Sequence, residues 1–404
     1  MTPLRTDIPD RLARTPPAAR RHGGAVKALT WAQVVARRLE RHGLAAPATD
    51  LPAAVSAMCG AHAQVMSAAE ASIGVRVAGA TRLDVRRALW AERTLVKTRG
   101  PRGTVHLLAT ADLPMWTGAL GALPSPPYAT GANALMTPAQ VDRVVAAVGA
   151  ALADAELTSE ELTAEVVARC GPWAGERVME AFQDRWPRWM QAMEVATRRG
   201  AMCFGPNRGR QTTYTSPARW LPGFQAAPPD QALSTLVRHY LHGYGPATPA
   251  HFAKWLAIGQ RTAQELFAAA GLEEVTVDGA PAWVVAGDTD MPAGRPRGVR
   301  LLPYFDAYAI GCHPRDKVFP GRAGERALNR GQAGNFAVLL VDGTVAGIWH
   351  QRRSGKRIAV TVEAFGTLSP ARLKALGEQV ERLGEILEAT PTLTLGEVTV
   401  GGHA

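Results

Sequence analysis

At 404 residues, 47% of them apolar and 20% charged, the chain is long enough for about two to four domains, and it contains no apolar run approaching the ~18 residues of a membrane span. Lys and Arg outnumber Asp and Glu 45 to 35, a formal charge of +10, which favours an anionic partner and most often nucleic acid. Cys59, Cys170, Cys203 and Cys312 stand far apart without a CxxC pair, which argues against a zinc ribbon or a disulfide framework and for a reduced, cytoplasmic protein.

The first residues are rich in Arg and Pro but lack the apolar centre of a signal peptide, and 1–25 is expected to be a flexible basic tail. LTWAQVVARRLERHGL (29–44) predicts a helix capped by Thr30, and a second helix is expected over 51–59. Residues 58–77, MCGAHAQVMSAAEASIGVRV, follow a helical pattern that Gly60 is placed to break. In extended backbone His62 and Gln64 share a face across Ala63; on a helix they point about 200° apart. An imidazole beside a carboxamide suits orienting a water or a leaving base, while the plain reading of such a triplet is a structural turn. TRLDVRRALWAER (81–93) is a capped basic helix, and LVKTRGPRGTVHLLA (95–109) reads as two strands about a Gly-Pro-Arg-Gly turn. Helices followed by a basic hairpin are the layout of a winged helix, whose wing places Lys97, Arg99 and Arg102 against phosphate.

The same order returns twice. LTSEELTAEVVARC (157–170) and WPRWMQAMEVATRRG (186–200) predict helices, and 201–220 a hairpin with Arg208 and Arg210 at its tip. From Leu233 three helices lead to EVTVDGAPAWVV (274–285), a hairpin about Asp278-Gly279. After a Pro/Gly linker (287–298) the chain turns to strands, with one hairpin at Asp342-Gly343 and a second at Ser354-Gly355, then a long amphipathic helix as its last element. The expected fold is α+β, three tandem winged-helix units followed by a C-terminal β-rich domain with a final helix: 26–135 carrying the HAQ triplet, 136–225, 226–290 and 295–404.

The sharpest electrostatic feature is QRRSGKR (351–357), where Arg352, Arg353, Lys356 and Arg357 crowd one hairpin tip suited to a DNA groove; the plain reading is a solvated hairpin. Asp306, in the apolar and aromatic stretch LLPYFDAY (301–308), is either a poised pocket carboxylate or a structural partner of an Arg. His239 and His242 lie three apart on a helix but have no third ligand, so no metal site is expected, and His106 on a wing strand reads as structural. Walker, GxGxxG and GxSxG signatures are missing, which argues against a nucleotide cofactor and a serine hydrolase.

On AQVVARRL, the HAQ triplet, RGTVHLLA, YGPATPAHFAKWL, LLPYFDAY and VDGTVAGIWHQRRSGKRIAVTVEAFG, the chain resembles the AlkZ/YcaQ-like winged-helix DNA glycosylases over most of its length, from Leu29 to the final helix. The resemblance implies a monofunctional DNA glycosylase of base-excision repair or genotoxin resistance, acting without a cofactor as a monomer. Its implied substrate is double-stranded DNA carrying alkylated purines, interstrand crosslinks included, in a cytoplasmic, nucleoid-associated setting away from membranes. The family's catalytic triplet, Gln-x-Gln or, in the YcaQ branch, Gln-x-Asp, falls on His62 and Gln64: Gln64 keeps the family residue, and His62 replaces a carboxamide with an imidazole. Its DNA-probing hairpin falls on 351–357. A non-catalytic winged-helix regulator or lesion sensor is the competing reading; operator-specific rather than damage-specific binding distinguishes it. A protein-binding scaffold is a third, marked by DNA affinity that barely responds to salt.

Overall fold

The computed structural model describes residues 26–124, 133–180 and 184–401, so the expected basic tail at 1–25 lies outside the described residues. Helices and small sheets alternate along the chain, a mixed α+β architecture. Three of the helices start as their sequences predict: Thr30, Thr81 and Thr158 each accept from the backbone three residues on, and Gln33, Asp84 and Glu161 bond back to the cap. Three times a set of helices leads into an antiparallel hairpin: Leu95–Arg99 with Val105–Ala109, Cys203–Arg208 with Gln211–Thr215, and Leu272–Val277 with Ala280–Val285.

The first hairpin takes a third strand, Ala61–His62, along Val105–Ala109. The third takes one from much earlier in the chain: Lys27–Leu29 lies parallel to Leu272–Val277. This corrects the expected first unit at 26–135. The edge of the third hairpin needs a partner for its backbone, and the first described strand supplies it. Two aspartates then lock the following helix, Trp31–Arg41, in the same place. Asp278 accepts from the Trp31 N–H at 3.1 Å, and Asp288 pairs with Arg37 and Arg41, both at 2.6 Å.

Nor are the units separate cores. One continuous cluster runs from Val35 and Leu39 through Leu108, Trp116, Tyr240 and Trp255 to Ile348 and Val398; smaller clusters lie beside it, on Val144, Val148, Leu162 and Trp189 in the second unit, on Val55, Leu89 and Leu107 in the first, and on Leu339 and Ile386 in the C-terminal part. The helix expected over 186–200 is shorter, Met193–Arg198, preceded by a strand Arg185–Pro187 and a tight turn. Pro187 disfavours helical backbone at Trp186 before it.

The C-terminal part is a five-stranded sheet in the order Val299–Leu302, Ala337–Val341, Thr344–Ser354, Arg357–Ala364, Thr390–Leu395. The turn at Asp342 and Gly343 has positive φ at both residues, 52° and 78°, as the Asp-Gly pair predicts. The second turn sits one residue later than expected, at Gly355 and Lys356, since Ser354 pairs with Arg357. The helix Pro370–Leu387 covers one face of this sheet through Leu376, Val380, Leu383 and Ile386. It is not the last element: Thr390–Leu395 returns parallel to Arg357–Ala364. Among the described residues no helix is long and apolar enough to cross a membrane, and all four cysteines are buried as free thiols.

Candidate functional site

The helix Leu51–Ala57 ends on two left-handed residues, Cys59 at φ 57° and Gly60 at φ 98°. Gly60 is required for space as well as conformation, because a Cβ there would lie 2.6 Å from Leu108 Cδ2. The reversal throws the next residues into extended backbone. Ala61 pairs with Leu107, His62 with His106, and the Ala63 N–H donates to the Val105 carbonyl at 2.7 Å. Alternate residues of an extended segment face opposite ways. Ala61 and Ala63 are buried in a cluster with Val55, Leu89 and Leu107, so His62 and Gln64 are turned to the other side. His62 is half-buried and Gln64 exposed. The helix of the pattern resumes only at Met66–Gly74.

His62 is held between two rings. Phe305 lies 4.6 Å away, tilted by 32°, and His106 packs edge-on at 5.2 Å and 77°. His106 is buried, and its Nδ1 donates to the Thr104 carbonyl at 2.9 Å. A carbonyl only accepts, so the neutral ring carries its proton on Nδ1 and its lone pair on Nε2. Burial holds this imidazole well below its usual basicity, and the Arg102 charge and His62 lower it further. Behind the two histidines is a cavity of about 10 Å³, room for about one water, which Arg102, Cys59, Tyr244 and Phe305 also line.

Arg102 is therefore not on an exposed wing. Its backbone sits at φ 61°, and its guanidinium donates to the Trp255 carbonyl at 2.7 Å; burial lowers its pKa to about 10. The other two wing residues are likewise turned into the protein. The half-buried Lys97 ammonium lies 5.1 Å from the Phe204 ring centre in the second unit, burial lowering its pKa, and Arg99 donates to the Gly103 carbonyl at 2.8 Å. The first hairpin packs against the second, so Lys97 and Arg102 serve contacts between units while Arg99 holds the turn of its own hairpin.

Asp306 takes the second of its two expected roles, the structural partner of an Arg. Arg76 grips its carboxylate, Nη1 to Oδ2 and Nη2 to Oδ1 both at 2.8 Å; Ser72 Oγ donates to Oδ2 at 2.7 Å and the Tyr308 N–H to Oδ1 at 2.9 Å. Burial works to raise its pKa, yet the Arg76 charge and these donors bring it below the ordinary carboxylate value. It is a fully engaged structural group, not a pocket carboxylate. Its neighbour Phe305, at φ 56°, is the residue that reaches His62.

Of the remaining cations, Arg208 is paired with Glu161 at 2.9 Å and also bonds the Glu156 carbonyl, while Arg210 is exposed. At the C-terminal hairpin Arg353 folds back onto the Leu387 carbonyl at 2.9 Å and the Gly355 carbonyl at 3.0 Å. Arg352, Lys356 and Arg357 are exposed and make no side-chain ion pair among the described residues. The pairing register puts His350, Arg352 and Arg357 on one face and Arg353 on the helix-covered face. His350 Nδ1 meets the Tyr304 hydroxyl at 3.1 Å, one residue from Phe305. The open basic face and the His62 ring are thus linked through residues 304 and 305.

His239 and His242 do not form a metal pair. His239 Nε2 lies 2.7 Å from the Ser56 carbonyl, and His242 Nδ1 lies 3.1 Å from Arg41 Nη1. Phe305 was not legible as a site residue, because only its place 243 positions beyond His62 in the folded chain brings the rings together; the LLPYFDAY motif was its one signal.

The protein family described as DNA glycosylase AlkZ-like matches residues 55–386. An interstrand DNA cross-link repair glycosylase of Streptomyces sahachiroi is 33% identical over 334 residues, which is 79% of this chain and 87% of that protein. The solved structure of Streptomyces sahachiroi DNA glycosylase AlkZ aligns with a TM-score of 0.76 at 27% identity, covering 91% of this chain and 100% of the other.

Proposed function

The chain belongs to the AlkZ-like DNA glycosylases, and from that premise we propose that it hydrolyses the N-glycosidic bond of N7-alkylated purines in duplex DNA, interstrand crosslinks included. The observation that supports this reading is the short strand Ala61–His62, continued by the Ala63 N–H on the Val105 carbonyl: Ala61 and Ala63 are anchored in the core while His62 is half-buried and Gln64 exposed.

Alkylation at N7 makes the purine cationic, so the base leaves as a neutral molecule without being protonated. The enzyme has to hold a water at C1′ and take its proton. The bond from C1′ to N9 breaks with its electron pair moving to the purine, the water oxygen bonds C1′, and an abasic site remains. In this scheme the neutral His62 imidazole accepts the water's proton and the Gln64 carbonyl oxygen holds its other hydrogen. No lysine neighbours the triplet in sequence, which argues against a Schiff-base route.

The space at His62 supports a lesion read in place. A cavity of about 10 Å³ is far below the ~300 Å³ at which small-molecule pockets begin, so an extruded purine has no slot to enter there. A bulky adduct approached from the exposed Gln64 side needs none. We read the three helix-and-hairpin sets as winged helices that frame a monomer on duplex DNA, with Arg352, Lys356 and Arg357 on the phosphates beside the lesion. The test is base release from duplex DNA carrying N7-methylguanine and from an N7-linked interstrand crosslink. Wild type releases the base; His62→Ala and Gln64→Ala each slow release by about 100-fold or more. Full activity in both variants would remove the triplet from the mechanism, and operator-specific binding without release would favour a regulator.

A further inference from the structure

After the third hairpin the chain crosses to the C-terminal sheet through MPAGRPRG (291–298), which carries two arginines and no acidic residue. The crossing is pinned at both ends. At its start Arg37 and Arg41 hold Asp288, both at 2.6 Å, Arg37 donates to the Asp290 carbonyl at 3.0 Å, and Met291 packs against the cluster of Leu29 and Val275. At its end the Gly298 N–H donates to Asp342 Oδ1 at 2.9 Å, and the Gly298 carbonyl accepts from the Asp342 N–H at 2.8 Å. Between the pins Ala293, Gly294, Arg295 and Arg297 are exposed, and a Cβ on Gly294 would meet nothing within 4 Å. Neither arginine has a hydrogen bond or an ion pair among the described residues. Pro296 fixes its own φ and disfavours helical backbone at Arg295, and in extended backbone residues two apart belong to one face.

The loop shares a side of the sheet with the open cations of the basic hairpin. Ile348, His350 and Arg352 alternate along one face of Thr344–Ser354, and Ile348 is in one cluster with Val35 and Leu39 of the helix that grips Asp288. Trp349 and Arg353 are on the opposite face, which Pro370–Leu387 covers. Along the strand the two features are at opposite ends, the loop at the Asp342-Gly343 turn and the cations at Gly355 and Lys356. The 11 residues of the strand, at ~3.3 Å each, separate them by roughly 35 Å. One turn of B-DNA repeats at ~34–36 Å, so a duplex lying along this strand turns the same groove to both ends.

We propose that Arg295 and Arg297 form a second DNA contact, an Arg-Pro-Arg face that enters the narrow minor groove of A·T-rich duplex one helical turn from the basic hairpin. That groove concentrates negative potential and offers the acceptors adenine N3 and thymine O2, whereas a G·C pair adds an amino donor. Guanidinium groups with no partner inside the protein meet it without breaking an ion pair. The proline and the two pins reduce the conformational freedom lost on binding. Arginines two apart on an extended segment are suited to this groove, and they read its width more than its sequence. The inference rests on duplex DNA as the partner of a DNA glycosylase and not on the chemistry given to His62 and Gln64.

The experiment titrates two undamaged duplexes, one centred on an A-tract and one of G·C pairs throughout, at several salt concentrations. It compares wild type, the double variant Arg295→Ala with Arg297→Ala, and Lys374→Ala, which removes an exposed charge from the helix on the other face. Wild type is expected to bind the A-tract about fivefold or more tighter than the G·C duplex. The double variant loses that preference, and its slope of log affinity against log salt falls by about two, while Lys374→Ala keeps both. Equal affinity of wild type for the two duplexes overturns the groove assignment, even if the double variant loses slope. A double variant with wild-type slope and preference, or an equal loss per charge in Lys374→Ala, overturns the contact itself. With no lesion in either duplex, a chain that fails to release N7-methylguanine refutes the proposed reaction and leaves this result untouched.

Discussion

Arg76 and Asp306 form a two-pronged ion pair, both bonds 2.8 Å, with neither side chain reaching solvent. The pair ties the turn after the helix Met66–Gly74 to the segment that sets Phe305 against His62. Removing one partner leaves a buried charge uncompensated. Asp306→Asn is expected to cost about 3–5 kcal/mol, and the double change Arg76→Met with Asp306→Leu less than either single change. Urea unfolding of wild type, Asp306→Asn, Arg76→Met, Asp306→Leu and the double variant checks this; additive losses from Arg76→Met and Asp306→Leu would mean the two groups do not act as a pair.

How far the sequence reached follows from the range of the forces involved. Thr30 and Thr81 were readable as helix starts, and the start at 158–159 to within one residue, because a capping box closes within three residues. The two Asp-Gly hairpins were readable because the turn chemistry is local. The extended conformation of the triplet was one of two open alternatives, decided by Cys59 and Gly60. What escaped was long-range: Lys27–Leu29 finding Leu272–Val277, and Asp306 finding Arg76. Charge was also misleading where local pattern ignores packing. Lys97, Arg99 and Arg102 look like a wing that meets phosphate, yet their hairpin packs against another one and the charges are engaged inside the protein.

The same distinction between held and open cations predicts different salt behaviour among the residues of the C-terminal basic hairpin. Every phosphate that a cation neutralises adds about 0.9 to the slope of log affinity against log salt. Arg352→Ala, Lys356→Ala and Arg357→Ala are each expected to lower that slope by about one. Arg353→Ala should change it by much less, since that guanidinium is held by the Leu387 carbonyl. Titrations of undamaged duplex at several salt concentrations measure all four; equal slopes for Arg353 and Arg352 variants would contradict the face assignment.

Gly60 offers a test of the turn that aims the triplet. At φ 98°, and with a Cβ position 2.6 Å from Leu108, Gly60→Ala introduces backbone strain and a steric clash together. The expected loss of stability is about 1–3 kcal/mol. Because the strained residue is two before His62, base release should fall further than stability alone explains under conditions where the variant is folded. In a Leu108→Ala background the clash is gone but the φ is not, so Gly60→Ala should cost less there than it does in wild type. A Gly60→Ala enzyme as stable as wild type would show that the reversal tolerates a side chain.

Acid should weaken the fold before it protonates most carboxylates. His42 is buried between Tyr244 and Tyr308, ring centres 4.8 and 5.6 Å away, and burial first, then the Arg76 charge, lowers its pKa from 6.5 to about 3. The unfolded chain therefore binds a proton between those values that the native chain refuses, so this stabilisation is complete above pH 6.5 and is lost as pH falls toward 3. At pH 5 the deficit from His42 alone is about 2 kcal/mol. His313, lowered to about 3, and His251, lowered to about 4, act in the same direction, burial being the leading cause in each. Asp306, with its depressed pKa, adds a further loss at still lower pH. Unfolding free energies at pH 7, 6 and 5 should decline for wild type and decline less steeply for His42→Phe. Parallel pH profiles for the two proteins would show that His42 is not the group that resists protonation.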